Sequence, residues 1–152
     1  MYYWISALQD VPLKNKIFTI DSVADFINER FVSVDYTEGP EKKRLSKIYE
    51  VYTEPVLLIC DANGRVMHRM EGKCTAGEMM ARLRQGLDVK NNLTAQKLMY
   101  DNGNRSSEFL INYLETLHIA GLRTQRDSVL HNIFSPSFHV DSLKTPKYWN
   151  VF

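Results

Sequence analysis

Two periodicities of apolar residues alternate along residues 17–89. After Asp21, Pro40 and Gly72, apolar side chains recur every three or four positions, which is typical of amphipathic helices. Residues 31–36 instead alternate between apolar and polar and are rich in β-forming side chains. The predicted order is α-β-α-β-β-α, with strands at residues 31–36, 55–60 and 65–70.

Residues 55–60 (PVLLIC) are apolar at every position. A strand with two apolar faces is typical of a sheet that is covered on both sides. Residues 61–64 (DANG) follow it, and the pair Asn63-Gly64 tolerates the positive φ angles of a tight hairpin turn. We therefore predict a hairpin that returns through residues 65–70.

Residues after 88 show no further strand pattern. Their apolar spacing predicts a helix over 93–100 and then a helical hairpin, whose first helix ends at Gly121 and whose second ends at Ser135-Pro136. Such a hairpin resembles one unit of a helical repeat. Thr145-Pro146 predicts a helix start close to the final Phe152, so we expect the chain to be cut from a longer one. The predicted domains are 1–89, an α/β domain, and 90–152, a small all-helical extension.

Composition and charge exclude several classes of function. The chain is 44% hydrophobic and 24% charged, which is ordinary for a soluble globular protein. Its formal net charge is +1, so no nucleic-acid or anionic-membrane partner is expected. The longest apolar stretch, 55–60, falls far short of the roughly 20 residues of a membrane span. The first residues show no signal peptide.

The two cysteines are predicted to be free thiols. Cys60 ends one strand of the hairpin and Cys74 lies beyond the other, so they should lie at opposite ends of it. At about 3.3 Å per residue the separation exceeds the roughly 7 Å that a disulfide can bridge.

No residue pattern indicates a metal or a cofactor. The four histidines (His68, His118, His131 and His139) lack metal-ligand spacing with each other or with Cys or Asp. His68 is expected to be structural or at the surface. The methionines suit core positions, and the chain has neither a Gly-rich phosphate loop nor a nucleophile elbow.

Several segments together resemble the thioredoxin-like thiol-disulfide oxidoreductases and disulfide isomerases of the bacterial envelope. The matching segments are Phe18, 21–28 (DSVADFIN), 31–34 (FVSV), 48–55 (IYEVYTEP) and 56–64 (VLLICDANG). Residues 102–110 and 117–122 resemble the helical C-terminal extension of some Bacteroidetes members. The resemblance implies a thioredoxin-like α/β fold, a periplasmic or cell-envelope location and extended peptides or proteins as partners.

The same resemblance implies a substrate-binding site around Pro55. In the family this residue is the cis-proline at the start of its strand, and it turns the preceding residue, here Glu54, toward an extended substrate. A trans Pro55 that merely opens a strand is the alternative. Trp4 is a further candidate for a peptide groove, and core packing or filling of a strand position is its alternative role.

The motif that gives the family its redox chemistry is absent. Members carry a central strand, then Trp-Cys-x-x-Cys or a close variant, then a helix whose start lowers the thiol pKa. Residues 4–9 (WISALQ) stand where the motif should lie. Two alignments place either Tyr2 and Ile5, or Ile5 and Leu8, at the cysteine positions. Neither supplies a thiol, so no catalytic residue is assigned.

The predicted thioredoxin-like fold is also incomplete at its N-terminus. The strand that should separate 31–36 from 56–60 is missing from the predicted order, and an empty place would leave a gap near 10 Å lined by bare backbone. We expect this place to be filled either by residues 1–5 or by a segment of another chain. The second case would require a homo-oligomer or strand exchange.

Two functions follow from these observations. The first is a thiol-disulfide oxidoreductase or isomerase seen as a fragment that begins inside its active-site region. The second is a redox-silent module that binds extended peptides or a partner protein beside Pro55 and the helical hairpin. As written, the chain lacks the adjacent sulfurs that dithiol exchange requires.

Overall fold

A four-stranded sheet in the order β2-β1-β3-β4 organises the chain. The computed structural model describes residues 2–7, 16–35, 39–53 and 55–133. The strands are β1 (Tyr2–Ala7), β2 (Phe31–Asp35), β3 (Val56–Cys60) and β4 (Val66–Glu71). The helices are α1 (Asp21–Arg30), α2 (Gly39–Ile48), α3 (Ala76–Leu87), α4 (Leu93–Asp101), α5 (Ser107–Ile119) and α6 (Arg123–Ile133). The predicted α/β class with a helical C-terminal part is therefore confirmed.

β1 occupies the sheet position between β2 and β3, which was empty in the order of strands predicted from the sequence. It runs parallel to β2, antiparallel to β3, and pairs with both. The prediction that the first residues fill this place is confirmed, and the backbone groups of β3 gain a partner on each side. Both predicted alignments of the missing cysteine motif are wrong, because they put Ile5 at a cysteine position and Ile5 lies inside β1. A motif that follows the central strand would begin after Ala7, and residues 8–15 lie outside the described part of the chain.

β3 is the buried centre of the hairpin, and all five of its residues are buried. Leu57 and Ile59 belong to a cluster with α1 and α3, whereas Val56, Leu58 and Cys60 pack with Tyr49 and Val51 on the other face. The two-sided apolar pattern therefore predicted the environment correctly. The hairpin turn is also confirmed, since Gly64 has φ +77° and Asp61 Oδ1 accepts the backbone N–H groups of Asn63 and Arg65.

α3 packs closely against the sheet. Thr75 and Glu78 form a reciprocal capping box that begins the helix, and Met79 and Leu83 are buried. Gly86 is buried as well, and a Cβ there would overlap the side-chain end of Ile59. α2 differs: the helix predicted after Pro40 is present, but it has no buried residue and Ile48 is 56% exposed.

The C-terminal helices lie against the edge strand β4. Their own core consists of Leu110, Tyr113, Leu114, Leu117, Val129 and Ile133. Polar contacts join them to the sheet: Thr94 Oγ1 donates to the Val66 carbonyl at 2.8 Å, and Leu93 N–H donates to His68 Nδ1 at 3.2 Å. The helical hairpin is confirmed. The predicted helix at Thr145 lies outside the described residues, and the boundary at residue 89 stays a prediction.

Gly121 ends α5 in a conformation that suits only glycine. Its φ is +69°, and the Leu122 N–H donates to the Leu117 carbonyl at 3.0 Å, as in a Schellman motif. A Cβ at this position would overlap the Glu71 carboxylate. Gly103 ends α4 in the same motif with φ +89°, and no atom lies within 4 Å of the place that a Cβ would take there.

Gly121→Ala is expected to lower the free energy of unfolding by about 2 kcal/mol, since a left-handed conformation and an overlap both add cost. Gly103→Ala is the matched control and should cost about 1 kcal/mol, because it carries only the backbone term. Urea unfolding followed by circular dichroism measures both. Equal losses in the two variants would show that Glu71 does not confine residue 121.

Candidate functional site

Three strands, β1, β3 and β4, come together at one end of the sheet. The register pairs Ala7 with Val56 and Val56 with Glu71. Because β3 runs antiparallel to both of its neighbours, its first residue lies beside the last residues of β1 and β4. Ala7, Val56 and Glu71 therefore lie side by side, and we call this place, with Pro55 and Gly72 next to it in the chain, the Pro55 end of the sheet.

Pro55 is held in place by the strand beside it. It is buried, and its carbonyl accepts the Gly72 N–H at 2.9 Å, which extends the β3–β4 ladder by one bond. Gly72 has φ +82° and nothing within 4 Å of the place that a Cβ would take, so the backbone is open there. Tyr52, three residues before Pro55, is 84% exposed. An exposed aromatic ring is a ready contact for a polypeptide.

Of the other two predicted site residues, the described structure locates only the backbone of Trp4. The backbone of Trp4 pairs with Ile59 in the middle of the sheet, roughly 10 Å along the strand from the Ala7–Val56 pair at about 3.3 Å per residue. The side chain of Trp4 and the whole of Glu54 lie outside the described residues. Sequence reasoning missed Gly72, whose contact with Pro55 depends on the register that the Asn63-Gly64 turn imposes.

The two thiols lie at opposite ends of β4 and are free, as predicted. Cys60 pairs with Val66 far from Pro55 and is completely buried. Burial, with the neighbouring Asp61 charge, raises the pKa of the Cys60 thiol to about 11. A thiol with such a pKa is protonated at neutral pH and cannot attack a disulfide.

Cys74 lies nearer to the Pro55 end but is not activated either. It is half-buried just before the start of α3. Burial is the main cause that raises its pKa; the Arg82 charge opposes the rise and the Glu78 charge adds to it. A family nucleophile needs a lowered pKa at its helix start. The described geometry therefore gives neither cysteine the environment of a catalytic thiol.

A small pocket adjoins the Pro55 end on the side of the helical extension. Its volume is about 250 Å³, and its lining residues are Glu71, Gly72, Leu117, His118, Gly121, Arg123 and Arg126. Sequence reasoning missed it because the lining comes from two segments about fifty residues apart. The only signal was Gly121, which marks the turn between α5 and α6 that faces β4.

Arg69 contacts Glu71, which is one of the residues that line this pocket. The Arg69 side chain is buried, Nε donates to the Ala120 carbonyl at 2.8 Å, and Nη1 donates to the Tyr49 carbonyl at 2.9 Å. Nη2 lies 3.5 Å from Glu71 Oε2. Both carbonyls stand at the C-terminal ends of helices, where carbonyls lack intrahelical partners and a positive charge is favoured. Arg69 thus joins α2, β4 and α5.

The described residues offer no site for a metal. Over residues 2–7, 16–35, 39–53 and 55–133, no group of three His, Cys, Asp or Glu side chains is placed to bind one. In the same ranges no helix combines the length and apolar character needed to cross a membrane.

Two solved structures are similar to parts of this chain. A solution structure of a proposed disulphide isomerase from Bacteroides thetaiotaomicron is 28% identical and covers 57% of this chain and 75% of that one, with a TM-score of 0.47. A DsbH oxidoreductase is 16% identical and covers 58% and 73% respectively, with a TM-score of 0.46. No curated protein matches the chain. The family model of the thioredoxin-like domain matches residues 11–87, which is just over half of the chain, and the protein therefore belongs to the thioredoxin-like family.

Proposed function

We propose that this chain is a thioredoxin-like module that binds extended polypeptides at the Pro55 end of the sheet and does not catalyse dithiol exchange. One observation carries the proposal. The end of the sheet where the family holds its substrate has a fixed Pro55–Gly72 backbone, and an exposed Tyr52 lies three residues before Pro55 in the chain, but the chain has no pair of adjacent thiols to go with them.

The absence of a thiol pair argues against an oxidoreductase activity of this chain. Dithiol exchange proceeds through a mixed disulfide that a second, neighbouring thiol resolves. β1 takes the central strand position, so the matching motif would fall in the residues that follow Ala7. Residues 8–15 (LQDVPLKN) contain no cysteine. Cys60 and Cys74 are too far apart and too weakly acidic to replace the motif.

Three details of the proposal rest only on the resemblance to thioredoxin-like oxidoreductases and isomerases. They are a cis Glu54–Pro55 bond, contacts from Glu54 and Trp4 to the bound chain, and a periplasmic or cell-envelope location. An extended polypeptide suits the site because a backbone held by neighbouring strands can bind another backbone by hydrogen bonds. We retain residues 1–89 as the peptide-binding domain and 90–152 as the helical extension. We also retain a homo-oligomer or strand exchange as a second mode of association.

The proposal is tested with the whole chain in two assays. In insulin reduction by dithiothreitol we expect no acceleration over dithiothreitol alone. In fluorescence anisotropy we expect binding to a labelled, permanently unfolded polypeptide, and Tyr52→Ala should weaken that binding about tenfold, as loss of a central tyrosine contact does.

Leu98→Ala is the control, because Leu98 is also apolar and 60% exposed but lies on α4. Its affinity should equal that of the parent chain. Alkylation-sensitive turnover of insulin would refute the redox-silent part of the proposal. Binding that Tyr52→Ala and Leu98→Ala weaken equally, or no binding at all, would refute the site.

A further inference from the structure

We infer that the pocket beside Gly72 binds a carboxylate of the bound polypeptide, so that the preferred partner is acidic at that position. The inference rests on the proposed function and names the chemistry that the helical extension adds to it. The pocket volume of about 250 Å³ fits a side-chain-sized group. It lies below the roughly 300–1,000 Å³ of sites that enclose a small-molecule ligand.

The pocket is continuous with the Pro55 end of the sheet. Gly72 lines the pocket and also donates its N–H to the Pro55 carbonyl. Pro55 and Gly72 are neighbours across two strands, so a polypeptide lying across Pro55 is about one inter-strand distance, roughly 4.8 Å, from a residue that lines the pocket. The carboxylate could come from an Asp or Glu side chain or from the C-terminus of the bound chain.

The charged residues around the pocket carry a net charge of +1. Among the lining residues, Arg123 and Arg126 stand against Glu71, and His118 is counted as neutral. Outside the lining, Arg69 pairs with Glu71 and Asp127 pairs with Arg126, and these two charges cancel. Glu71 is held by Arg69 at 3.5 Å and by Arg123 at 3.8 Å. Its carboxylate is therefore already paired. One further carboxylate would neutralise the remaining charge, whereas a phosphate, which carries about −1.5 to −2, would leave an excess negative charge.

Arg126 is the residue best placed to receive the carboxylate. Its Nε and Nη2 donate to Asp127 Oδ1 at 3.2 and 3.1 Å, and its Nη1 lies 3.3 Å from His118 Nδ1 on the pocket wall. A guanidinium has five N–H donors, so these contacts leave donor capacity for a ligand. The Arg126 side chain is only 27% exposed, and the neighbouring Leu117 is buried. A partly enclosed guanidinium binds a carboxylate more strongly than a fully hydrated one.

The test measures anisotropy with short labelled peptides that differ at one group. In the first pair, one peptide has Glu and the other has Gln at the same position, and both have an amidated C-terminus. In the second pair, both peptides have Gln at that position, and one has a free and the other an amidated C-terminus. We expect the parent chain to prefer the charged member of at least one pair by about tenfold. The pair that shows the preference identifies the source of the carboxylate.

Arg126→Gln should abolish the preference by weakening the binding of the charged peptide. Arg44→Gln is the control, since it removes the same charge from an exposed arginine paired with Glu41 on α2. It should keep the preference. If Arg126→Gln does not fold by circular dichroism, Arg123→Gln, whose side chain is 72% exposed, replaces it and should reduce the preference.

The outcomes separate this inference from the proposed function. Equal affinity for the members of both pairs, with Tyr52-dependent binding intact, overturns the carboxylate site alone. A preference that persists in Arg126→Gln and Arg123→Gln also overturns it. Failure of every peptide to bind overturns the site together with the proposed function.

Discussion

Arg69→Met is expected to lower the free energy of unfolding by about 3–5 kcal/mol, the usual cost of removing one partner from a buried charged network. Methionine fills most of the volume but donates no hydrogen bond. The Tyr49 and Ala120 carbonyls then lose their guanidinium donors at the ends of two helices. Glu71 keeps Arg123, at 3.8 Å, as its ion-pair partner. Urea unfolding followed by circular dichroism measures the loss.

Arg65→Met is the matched control on the same hairpin. Arg65 also pairs with a carboxylate, Asp61, at 2.7 Å, but its side chain is 75% exposed. Exposed pairs contribute about 0–1 kcal/mol, so this variant should remain near the parent chain. A loss of less than about 1 kcal/mol in Arg69→Met would mean that Arg69 does not join the helices to the sheet as described.

Acid is expected to destabilise the fold through His68 by about 3 kcal/mol between pH 6.5 and pH 4. His68 is completely buried, and its Nδ1 accepts the Leu93 N–H at the start of α4. Burial first, and the Arg82 charge second, lower its pKa from 6.5 to about 4. Between pH 6.5 and pH 4, His68 is therefore protonated in the unfolded chain but remains neutral in the folded chain. Stability falls by about 1.4 kcal/mol per pH unit until the folded pKa is reached, and His68 adds no pH dependence above 6.5.

His68→Asn separates this effect from the titration of carboxylates. Asparagine retains an acceptor for the Leu93 N–H but does not titrate in this range. Chemical unfolding at a series of pH values should show a much smaller slope between pH 6.5 and 4 in His68→Asn. His131→Asn, at an exposed histidine on α6, should retain the parent slope. Parallel slopes in His68→Asn and the parent would contradict the role assigned to His68.

The elements were predictable where local sequence decides structure. The doubly apolar run at 55–60 predicted a strand buried on both faces, and Asn63-Gly64 predicted the turn that follows it. Gly121 predicted the end of α5, since a positive φ is a local requirement. The open place in the sheet predicted β1, because a central strand such as β3 needs hydrogen-bond partners on both sides.

The candidate site was less predictable because distant segments build it. Arg69 lies in a strand of mixed polarity, and one of its partners, Ala120, is 51 residues away. His68 was expected to be structural or at the surface, and the structural alternative is confirmed by its burial against Gly86 and the start of α4. Arg126 has an ordinary polar position on α6, and only the packing of that helix beside β4 brings it to Gly72.

The most direct test of the proposed function is residue-resolved binding. Amide ¹H–¹⁵N spectra of the labelled chain would be recorded while an extended acidic peptide is added. We predict the largest shifts at the Pro55 end of the sheet, led by Gly72 and Tyr52, with Gly121 following when the peptide carries its carboxylate. Shifts confined to the opposite end of the sheet, around Cys60 and Gly64, or a spectrum that does not change, would contradict a polypeptide site at Pro55.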